Sequence, residues 1–527
     1  MKKRSYLFFG LLMGLLSVSV WFMGKASTNL QYIQAAGSQN LYKLTVSNSR
    51  GMIYDCNMQP LVNQTGVAPG IETMAELNRT ATAEDRIQFA SYLESGKPFL
   101  YEVDARIKYE ELDVFHVQER YAQNQIAAHL IGYTDSMGNG VTGIEASMND
   151  VLKRNNGELA VYYRTDAFGR VIAGAEKEIV DTRERSKAGI VLTIDSLIQQ
   201  KAEDLAKQLG KGSIIVAEAP HFEIRALASV PSYSPKDLAK ASKSSDGPLV
   251  NRAFAAYSPG SVFKLAVAKQ AIEEGLDGFV YDCKGYTTVN GMHFHCYNSI
   301  PHGKINLQQA IEQSCNSYFI HLGERLGGTS LLATASNLGF GKSMTFGEGL
   351  TTAAGNLPLT KELKNERALA NFSFGQGSLT VTPLQIAGLI HTIASGGEYT
   401  EPKLVAGTVD NALSYLAESE EQTTRYRAMS EETAKQIQTA MESVIESGTG
   451  KAGKPENIKA GAKTGTAQTG VYENNKEQNH YWFAGYIKEK NIPRYVIVVM
   501  RESVVSDDGV TAGIFKELAD YIEKQIF

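Results

Sequence analysis

The stretch AYSPGSVFKLAVAKQAIEEGL, residues 256–276, combines the spacing of an amphipathic helix with a lysine on its apolar face. Lys264 follows Ser261 by three residues, so both are predicted to lie on the same side of the helix. Their neighbours on that side are apolar, and burial there would disfavour the charged form of the amine. The lysine is therefore either a snorkelling surface residue or a base acting on Ser261.

The residues before Ser261 favour the second interpretation. Pro259 and Gly260 suit a tight approach to the helix start, which places Ser261 at the helix N-terminus, where backbone N–H groups are free and the helix dipole is favourable. A serine hydroxyl is a weak nucleophile at neutral pH and needs a base within hydrogen-bond reach. A lysine whose pKa is lowered by burial can be that base. The S-x-x-K pattern alone is common by chance.

Two more short motifs follow in the chain. Ser314-Cys315-Asn316 lies in AIEQSCNSYFI, and Lys463-Thr464-Gly465 lies in AGAKTGTAQTG, just before two apolar strands near the C-terminus. The order S-x-x-K, S-x-N, K-T-G is the motif set of serine β-lactamases and penicillin-binding proteins. Cys315 itself is interpreted as a small packing residue.

The chain resembles the class B penicillin-binding proteins, the monofunctional D,D-transpeptidases of bacterial cell-wall synthesis. The resemblance extends from about Ser49 to the C-terminus. It departs from the family pattern at Cys56 and Met58, where an arginine and a glycine are usual, and in APHFEIRALAS, which lacks the usual turn glycine. Further similar pieces are RGMIYD, AAHLIGY, GIE, GQGSLTVTPLQIA and HYWFAGY.

The resemblance implies a role for each motif residue. Ser261 would attack the penultimate D-alanine carbonyl of a stem peptide ending in D-Ala-D-Ala, and Lys264 would take the serine proton. Ser314 would relay a proton to the departing D-alanine, while Asn316 would orient Lys264 and the substrate amide. β-Lactams would acylate the same serine.

The K-T-G strand is implied to bind the substrate. Lys463 would supply positive charge near the substrate carboxylate, and Thr464 and Thr466 would donate hydrogen bonds to it. Gly465 would leave the strand open to close approach. The backbone N–H groups of Ser261 and Thr466 would form the oxyanion hole. The reaction would need no cofactor.

With 527 residues, the chain is too long for a single core. We predict an α+β fold: a transpeptidase domain over residues 188–527, in which strands at both ends form one antiparallel sheet flanked by helices, with a helical subdomain. Residues 25–187 are polar with short strand-like pieces, and no catalytic pattern is found there. They are predicted to form a β-rich pedestal, resembling the pedestal and dimerisation domains of such proteins.

The N-terminus is typical of a membrane anchor. Lys2, Lys3 and Arg4 precede an uncharged run from Ser5 to Gly24, which is long enough to span a hydrocarbon core of about 30 Å. The positive residues predict a cytoplasmic tail of residues 1–4, an anchor over 5–24 and an extracytoplasmic bulk. A cleaved signal peptide is the alternative. A net charge of −5 gives no reason to expect nucleic acid as a partner.

The segment YDCKGYTTVNGMHFHCYNSIPHGK is dense in potential metal ligands. Two cysteines, a histidine and one more donor could bind a structural Zn²⁺. The predicted ligands are Cys283, Cys296 and His302, with His295 or Asp282 as the fourth. The alternatives are a Cys283–Cys296 disulfide, and reduced cysteines with solvated histidines.

Other functions share parts of this pattern. A D,D-carboxypeptidase or β-lactamase would use the same serine with water as acceptor, and an inactive cell-wall scaffold or β-lactam sensor would not turn over. No glycosyltransferase pattern is found, which argues against the bifunctional class A enzymes. By resemblance, the expected partners are peptidoglycan stem peptides, β-lactams, the membrane, a separate glycosyltransferase of the SEDS type and other cell-wall machinery.

Overall fold

A computed structural model of the chain gives the positions of most residues. The prediction of a β-rich pedestal over residues 25–187 lies in part outside the described residues, which exclude for example 74–93 and 103–112. The structure describes residues 2–28, 41–63, 68–73, 94, 96–102, 113–117, 119–166, 168–172, 174–219, 221–418 and 424–526.

The described residues form a mixed set of helices and strands. The helices are α1 Lys2–Thr28, α2 Ala128–Ile131, α3 Gly143–Ser147, α4 Asn149–Arg154, α5 Ser196–Ala206, α6 Leu238–Lys243, α7 Lys264–Glu273, α8 Leu307–Glu312, α9 Asn316–Leu326, α10 Gly328–Asn337, α11 Glu366–Ser373, α12 Pro383–Ala394, α13 Glu431–Glu446 and α14 Val510–Ile526. The strands are β1 Leu41–Ser49, β2 Met52–Tyr54, β3 Ala68–Thr73, β4 Leu100–Glu102, β5 Asp113–Val117, β6 Gly157–Arg164, β7 Glu178–Asp181, β8 Gly189–Leu192, β9 Gly212–Glu218, β10 Glu223–Val230, β11 Tyr281–Cys283, β12 Tyr286–Val289, β13 Met292–His295, β14 Gly303–Ile305, β15 Glu398–Thr400, β16 Val405–Val409, β17 Tyr415–Glu418, β18 Arg425–Arg427, β19 Ala460–Glu473, β20 Lys476–Glu489 and β21 Ile492–Val504.

The first of two compact units comprises Met1–Arg50, Thr65–Arg120 and Asn156–Ser186. Among its described residues, β1, β6 and β7 form one sheet and β4, β3 and β5 another. Val46, Leu159, Val161 and Tyr163 are its buried apolar cluster. The unit also contains α1, whose segment Phe8–Lys25 is long and apolar enough to cross a membrane and has no buried residues.

The second unit comprises Gly51–Gln64, Tyr121–Asn155 and Lys187–Phe527. It therefore includes two segments that the sequence analysis assigned to the N-terminal domain. One reason is visible in the sheets: β2 from the first segment pairs in parallel with β8, next to β16 and β17. The main sheet of the unit is five-stranded and antiparallel, in the order β10-β9-β21-β20-β19.

Helices cover both faces of this five-stranded sheet. On one face α5 and α14 pack through Ile198, Leu205 and Phe515, which are buried together with Ile214 and Val499 of the strands. On the other face α12, α13 and the helices from α7 to α10 belong to the larger core. This arrangement confirms the predicted antiparallel sheet flanked by helices, with a helix-rich middle of the domain.

Several local predictions are also confirmed. Asp195 caps α5, accepting hydrogen bonds from the backbone N–H groups of Leu197 and Ile198. The stretch from Gly212 to Val230 forms the hairpin β9–β10, and the closing amphipathic helix is α14. These elements have regular hydrophobic spacing, which is why the sequence alone predicts them.

Both departures from the family pattern fall on backbone in the left-handed region. Met58 has φ 59°, and Phe222 at the β9–β10 turn has φ 52°. That region favours glycine, and other residues there cost about 1–3 kcal/mol. Phe222 is fully buried and stacks on His391 at 4.5 Å between ring centroids. That burial of a large apolar side chain offsets the backbone cost.

The packing of α14 on the sheet gives a stability prediction. Phe515 is fully buried, and its ring centroid lies 4.7 Å from that of Phe483. We expect Phe515→Ala to lower the free energy of unfolding of the second unit by about 3–5 kcal/mol, since it leaves a cavity. Urea unfolding followed by the fluorescence of the buried Trp482 measures this change. The matched control is Lys524→Ala, an exposed position on the same helix. Equal midpoints for the two variants would contradict the packing.

Candidate active site

Ser261 lies in a short 3-10 turn, Gly260–Phe263, that leads directly into α7 at Lys264. Gly260 has φ +54°, and a Cβ at this position would lie 2.4 Å from the backbone oxygen of Thr466. The N–H of Gly260 donates to the oxygen of Gly375 at 2.9 Å. Only glycine permits this approach, so the turn is held between the K-T-G strand and the segment at Gly375.

Ser314 forms the corner between α8 and α9. Asn306 and Gln309 form a capping box at the start of α8, and Cys315 caps α9, accepting a hydrogen bond from the N–H of Tyr318 through its sulfur. Between the two helices Ser314 has φ 55°. A non-glycine residue held in the left-handed region is sparsely populated and common at functional sites. Here it turns the hydroxyl toward two lysines.

Lys264 and Lys463 converge on this corner. Lys264 Nζ donates to the backbone oxygen of Ser314 at 2.8 Å, to Ser314 Oγ at 3.4 Å and to Asn316 Oδ1 at 2.6 Å. Lys463 Nζ donates to Ser314 Oγ at 2.8 Å and to its neighbour's backbone oxygen at 3.0 Å. The three predicted motifs therefore meet at the hydroxyl of Ser314.

Both lysine side chains are fully buried. Burial lowers the pKa of Lys264 to about 8, although the nearby thiols of Cys315 and Cys296 oppose the shift. Burial, and then the charge of Lys264, lower the pKa of Lys463 well below its ordinary value. A pKa of about 8 gives the Lys264 amine a much larger neutral fraction near physiological pH than an exposed lysine has.

Lys463, Thr464, Gly465 and Thr466 lie on β19, the edge strand of the five-stranded sheet, opposite Ala484 to Tyr481 of β20. A Cβ on Gly465 would lie 2.9 Å from Val262 Cγ2, so this glycine permits close packing of the serine turn on the strand. The hydroxyl of Thr464 pairs with that of Thr449 at 2.8 Å. Thr466 is exposed, which leaves it accessible to a substrate.

Ser261 is partly exposed, in contrast to the buried lysines. Within the described chain, no hydrogen bond joins Ser261 Oγ to Lys264 Nζ. Catalytic hydrogen bonds are often long in the free enzyme and shorten in the complex with substrate. The position of Lys264 is instead fixed by Asn316, whose Nδ2 donates to the backbone oxygen of His295 at 2.8 Å.

A cluster of sulfur and nitrogen atoms lies behind Ser314 and Asn316. Cys283 Sγ is 3.7 Å from Cys296 Sγ and 3.4 Å from His302 Nδ1, and Cys296 Sγ is 3.8 Å from Cys315 Sγ. All four donor atoms lie within 4.8 Å of one another. Zinc–sulfur bonds of 2.3 Å in a tetrahedron separate two sulfurs by about 3.8 Å. The cluster therefore fits a tetrahedral metal site.

Only part of the predicted ligand set is in this cluster. Cys283, Cys296 and His302 are brought together, but His295 and Asp282 are not. His295 is exposed with Nδ1 bonded to Ser299 Oγ, and Asp282 pairs with Lys284 at 2.7 Å. The fourth donor is Cys315, which the sequence analysis interpreted as a packing residue. Cys283 and Cys296 are not joined by a disulfide bond.

Two residues that contact the candidate site are not predicted from the sequence. Cys315, one of only four cysteines in the chain, lies inside the S-x-N motif, where its neighbours Ser314 and Asn316 account for the pattern. Thr449 precedes no recognisable motif and reaches Thr464 only through the tertiary fold, with its N–H bonded to the oxygen of Glu312 at 3.2 Å.

Comparison with known proteins identifies the fold. The family model "Penicillin binding protein transpeptidase domain" matches residues 212–520. Penicillin-binding protein A of Mycobacterium tuberculosis, solved as a ceftriaxone acyl-enzyme complex, is 21% identical with a TM-score of 0.66, covering 91% of this chain and 98% of that one. Its similarity supports the fold.

Curated relatives agree. Stage V sporulation protein D of Bacillus subtilis is 31% identical over 442 residues, which cover 79% of this chain and 66% of the relative. Peptidoglycan D,D-transpeptidase FtsI of Escherichia coli K12 is 28% identical over 391 residues, which cover 67% and 64%. The chain thus spans about two thirds of each relative. It belongs to the penicillin-binding protein transpeptidase family, and its relatives support the class B group that the sequence predicts.

Proposed function

We propose that this chain cross-links peptidoglycan by acyl transfer from stem peptides ending in D-Ala-D-Ala, with Ser261 as nucleophile. The observation that supports this most is the convergence of the buried Lys264 and Lys463 on Ser314 Oγ. A neutral amine beside a partly exposed serine is the combination that a serine acyl transferase needs.

In the acylation step, Ser261 Oγ bonds to the penultimate D-alanine carbonyl carbon, and its proton passes to the neutral Lys264 amine. The backbone N–H groups of Ser261 and Thr466 stabilise the resulting oxyanion, a term often worth about 3–4 kcal/mol per donor. The peptide C–N bond then breaks, and the departing D-alanine nitrogen receives a proton relayed through Ser314. Lys463, Thr464 and Thr466 hold the terminal carboxylate.

The acyl-enzyme is resolved by an amine from a second stem peptide. The amine nitrogen bonds to the acyl carbon, the ester bond to Ser261 breaks, and the proton lost by the amine passes through the same groups to Ser261 Oγ, which restores the free serine. A β-lactam acylates Ser261 by the same attack, with opening of its ring. Asn316 keeps Lys264 in place throughout, since it bonds both the lysine amine and the backbone at His295.

The remainder of the chain would place this chemistry outside the cell. Lys2, Lys3 and Arg4 would keep the N-terminus in the cytoplasm, α1 would anchor the chain, and the bulk would be extracytoplasmic. Residues 25–187 would act as a pedestal for the transpeptidase domain of residues 188–527. A separate SEDS-type glycosyltransferase would supply the glycan strands, contacted through the anchor and pedestal.

We further propose that Cys283, Cys296, His302 and Cys315 bind one structural Zn²⁺. The distances between their donor atoms support this, as does the burial of all three cysteines. Cys283 and Cys296 flank the hairpin β12–β13, and Cys315 lies between Ser314 and Asn316. Bound zinc would therefore tie this hairpin to the corner that positions Lys264.

The transfer reaction tests the proposed function. With a D-Ala-D-Ala stem peptide and an acceptor amine, the full chain should release D-alanine and form the cross-linked product faster than the hydrolysed one. Ser261→Ala should reduce both to background, whereas Ser258→Ala, in the same loop, should retain the parent's rate. Hydrolysis without transfer would indicate a carboxypeptidase. Rapid turnover of penicillin would indicate a β-lactamase.

Native mass spectrometry of the full chain tests the zinc site. We expect one zinc per chain. Cys315→Ser should weaken zinc binding by more than about a hundredfold, because even losing contacts outside the ligand shell costs about 10–100-fold. His295→Ala and Cys56→Ser, outside the cluster, should retain the metal. A metal-free chain 2 Da lighter would indicate the disulfide instead, and equal zinc in all variants would exclude this ligand set.

A further inference from the structure

A cavity of about 350 Å³ lies in the second unit, away from the Ser314 corner. Its walls come from the α2–α3 region, from the segment after α6 and from the loop at Thr351. The side chains that matter for the inference are His129, Tyr133, Thr142, Tyr233, Asn251 and Thr351. The volume is within the range of small-molecule sites, about 300–1,000 Å³.

The cavity is aromatic and uncharged. Tyr233 contacts His129 and Tyr133 edge to face, at 5.1 and 6.3 Å between ring centroids. Among the described residues that line it, none is an acid, a lysine or an arginine. His129 bonds through Nε2 to the oxygen of Pro248, and burial lowers its pKa to about 4, so this ring stays neutral. The lining side chains themselves therefore offer a charged ligand no counter-ion.

One polar group in the wall has an unused donor. Asn251 Oδ1 accepts from the N–H of Ala253 at 3.1 Å. Its Nδ2 is buried and has no hydrogen-bond partner. A buried amide donor without a partner is costly, so a ligand acceptor that reached Asn251 Nδ2 from the cavity would be bound favourably.

Aromatic rings beside neutral hydrogen-bonding groups suit a neutral sugar. The C–H groups of a pyranose carry partial positive charge and pack against the negative face of an aromatic ring. Its hydroxyls and an acetamido oxygen can pair with Thr142, Thr351 and the free Asn251 donor. A sugar bearing a carboxylate is disfavoured, because the walls offer no positive charge.

The cavity is also connected to the serine turn. Asn251 precedes Arg252, whose guanidinium bonds Glu502 on β21, and the hydroxyl of Tyr257 donates to the same carboxylate at 3.5 Å. Trp482 Nε1 then donates to the oxygen of Ser258 at 3.1 Å. The segment from the cavity to Ser261 is thus bonded to the central strands along its length.

We propose that this cavity binds one uncharged N-acetylhexosamine residue of the glycan strand whose stem peptide is being cross-linked. This inference rests on the proposed function, since it takes peptidoglycan as the substrate polymer. The cavity makes the protein prefer stem peptides attached to glycan over free ones, and it acts on substrate affinity rather than on the chemical step.

The probe is tri-N-acetylchitotriose, a neutral oligomer of N-acetylglucosamine, titrated into the full chain in detergent by calorimetry and saturation-transfer NMR. Asn251→Asp keeps the acceptor for Ala253 and removes the free donor. Thr351→Trp fills the cavity from an exposed position. Each should raise the dissociation constant about tenfold or more, which corresponds to about 1.4 kcal/mol.

The matched control is Thr345→Trp. Thr345 and Thr351 share one hydroxyl–hydroxyl bond at 3.1 Å, and both are exposed, but only Thr351 lines the cavity. The control should bind the sugar like the parent. With glycan-linked donor substrate, Asn251→Asp should raise KM and leave kcat unchanged, and with free stem peptide it should change neither.

Acylation of the parent by benzylpenicillin distinguishes a failure of the cavity proposal from a failure of the proposed acyl-transfer function. A parent that is acylated but shows no saturable sugar binding overturns the cavity inference and leaves the proposed function intact. Equal sugar binding by Asn251→Asp, Thr351→Trp and the parent overturns it as well. A parent that is not acylated counts against the proposed function, whatever the sugar result.

Discussion

Two buried amines sharing one serine hydroxyl form the constraint on which the rest of this site depends. Removing an ammonium group from water is costly unless a counter-charge accompanies it. Among the residues that the structure describes, the polar partners of Lys264 and Lys463 are Ser314, Asn316 and backbone oxygens, and none of the hydrogen-bond partners of the two amines is a carboxylate. Burial therefore increases the neutral fraction of the Lys264 amine relative to an exposed lysine, and a neutral lysine is a base.

The fold keeps these amines in place through backbone geometry. Lys463 lies on an edge strand in the same sheet as the central strands β21 and β20. Lys264 begins a helix, and the 3-10 turn just before it, Gly260–Phe263, packs on that edge strand. Gly260 and Gly465 allow the turn and the strand to approach closely. Ser314 completes the arrangement from a left-handed corner between two capped helices. The sulfur cluster then stands directly behind that corner, since Cys315 is the next residue.

Much of this could be predicted from the sequence. The order of the three motifs, the antiparallel sheet and the membrane-length helix follow from local patterns with known spacing. The cluster of Cys283, Cys296, His302 and Cys315 was predicted only in part, because Cys315 comes from a different element than Cys283 and Cys296 and no spacing rule joins them. Thr449 and the cavity at Asn251 depend on tertiary contacts between segments distant in the chain. The grouping of residues 51–64 and 121–155 with the second unit likewise depends on strand pairing rather than composition.

Whether Lys264 is the base is tested most directly by the pH dependence of acylation by benzylpenicillin, measured by intact mass on the full chain, with any bound metal quantified at each pH. If Lys264 with a pKa of about 8 must be neutral to accept the serine proton, the rate rises with pH. It should increase about fiftyfold between pH 6 and pH 8 and level off above pH 9. A rate that is flat over this range would show that Lys264 is not the base. A rate that continues to rise beyond pH 10, as expected for a lysine with an ordinary pKa, would show that burial does not lower the pKa of Lys264.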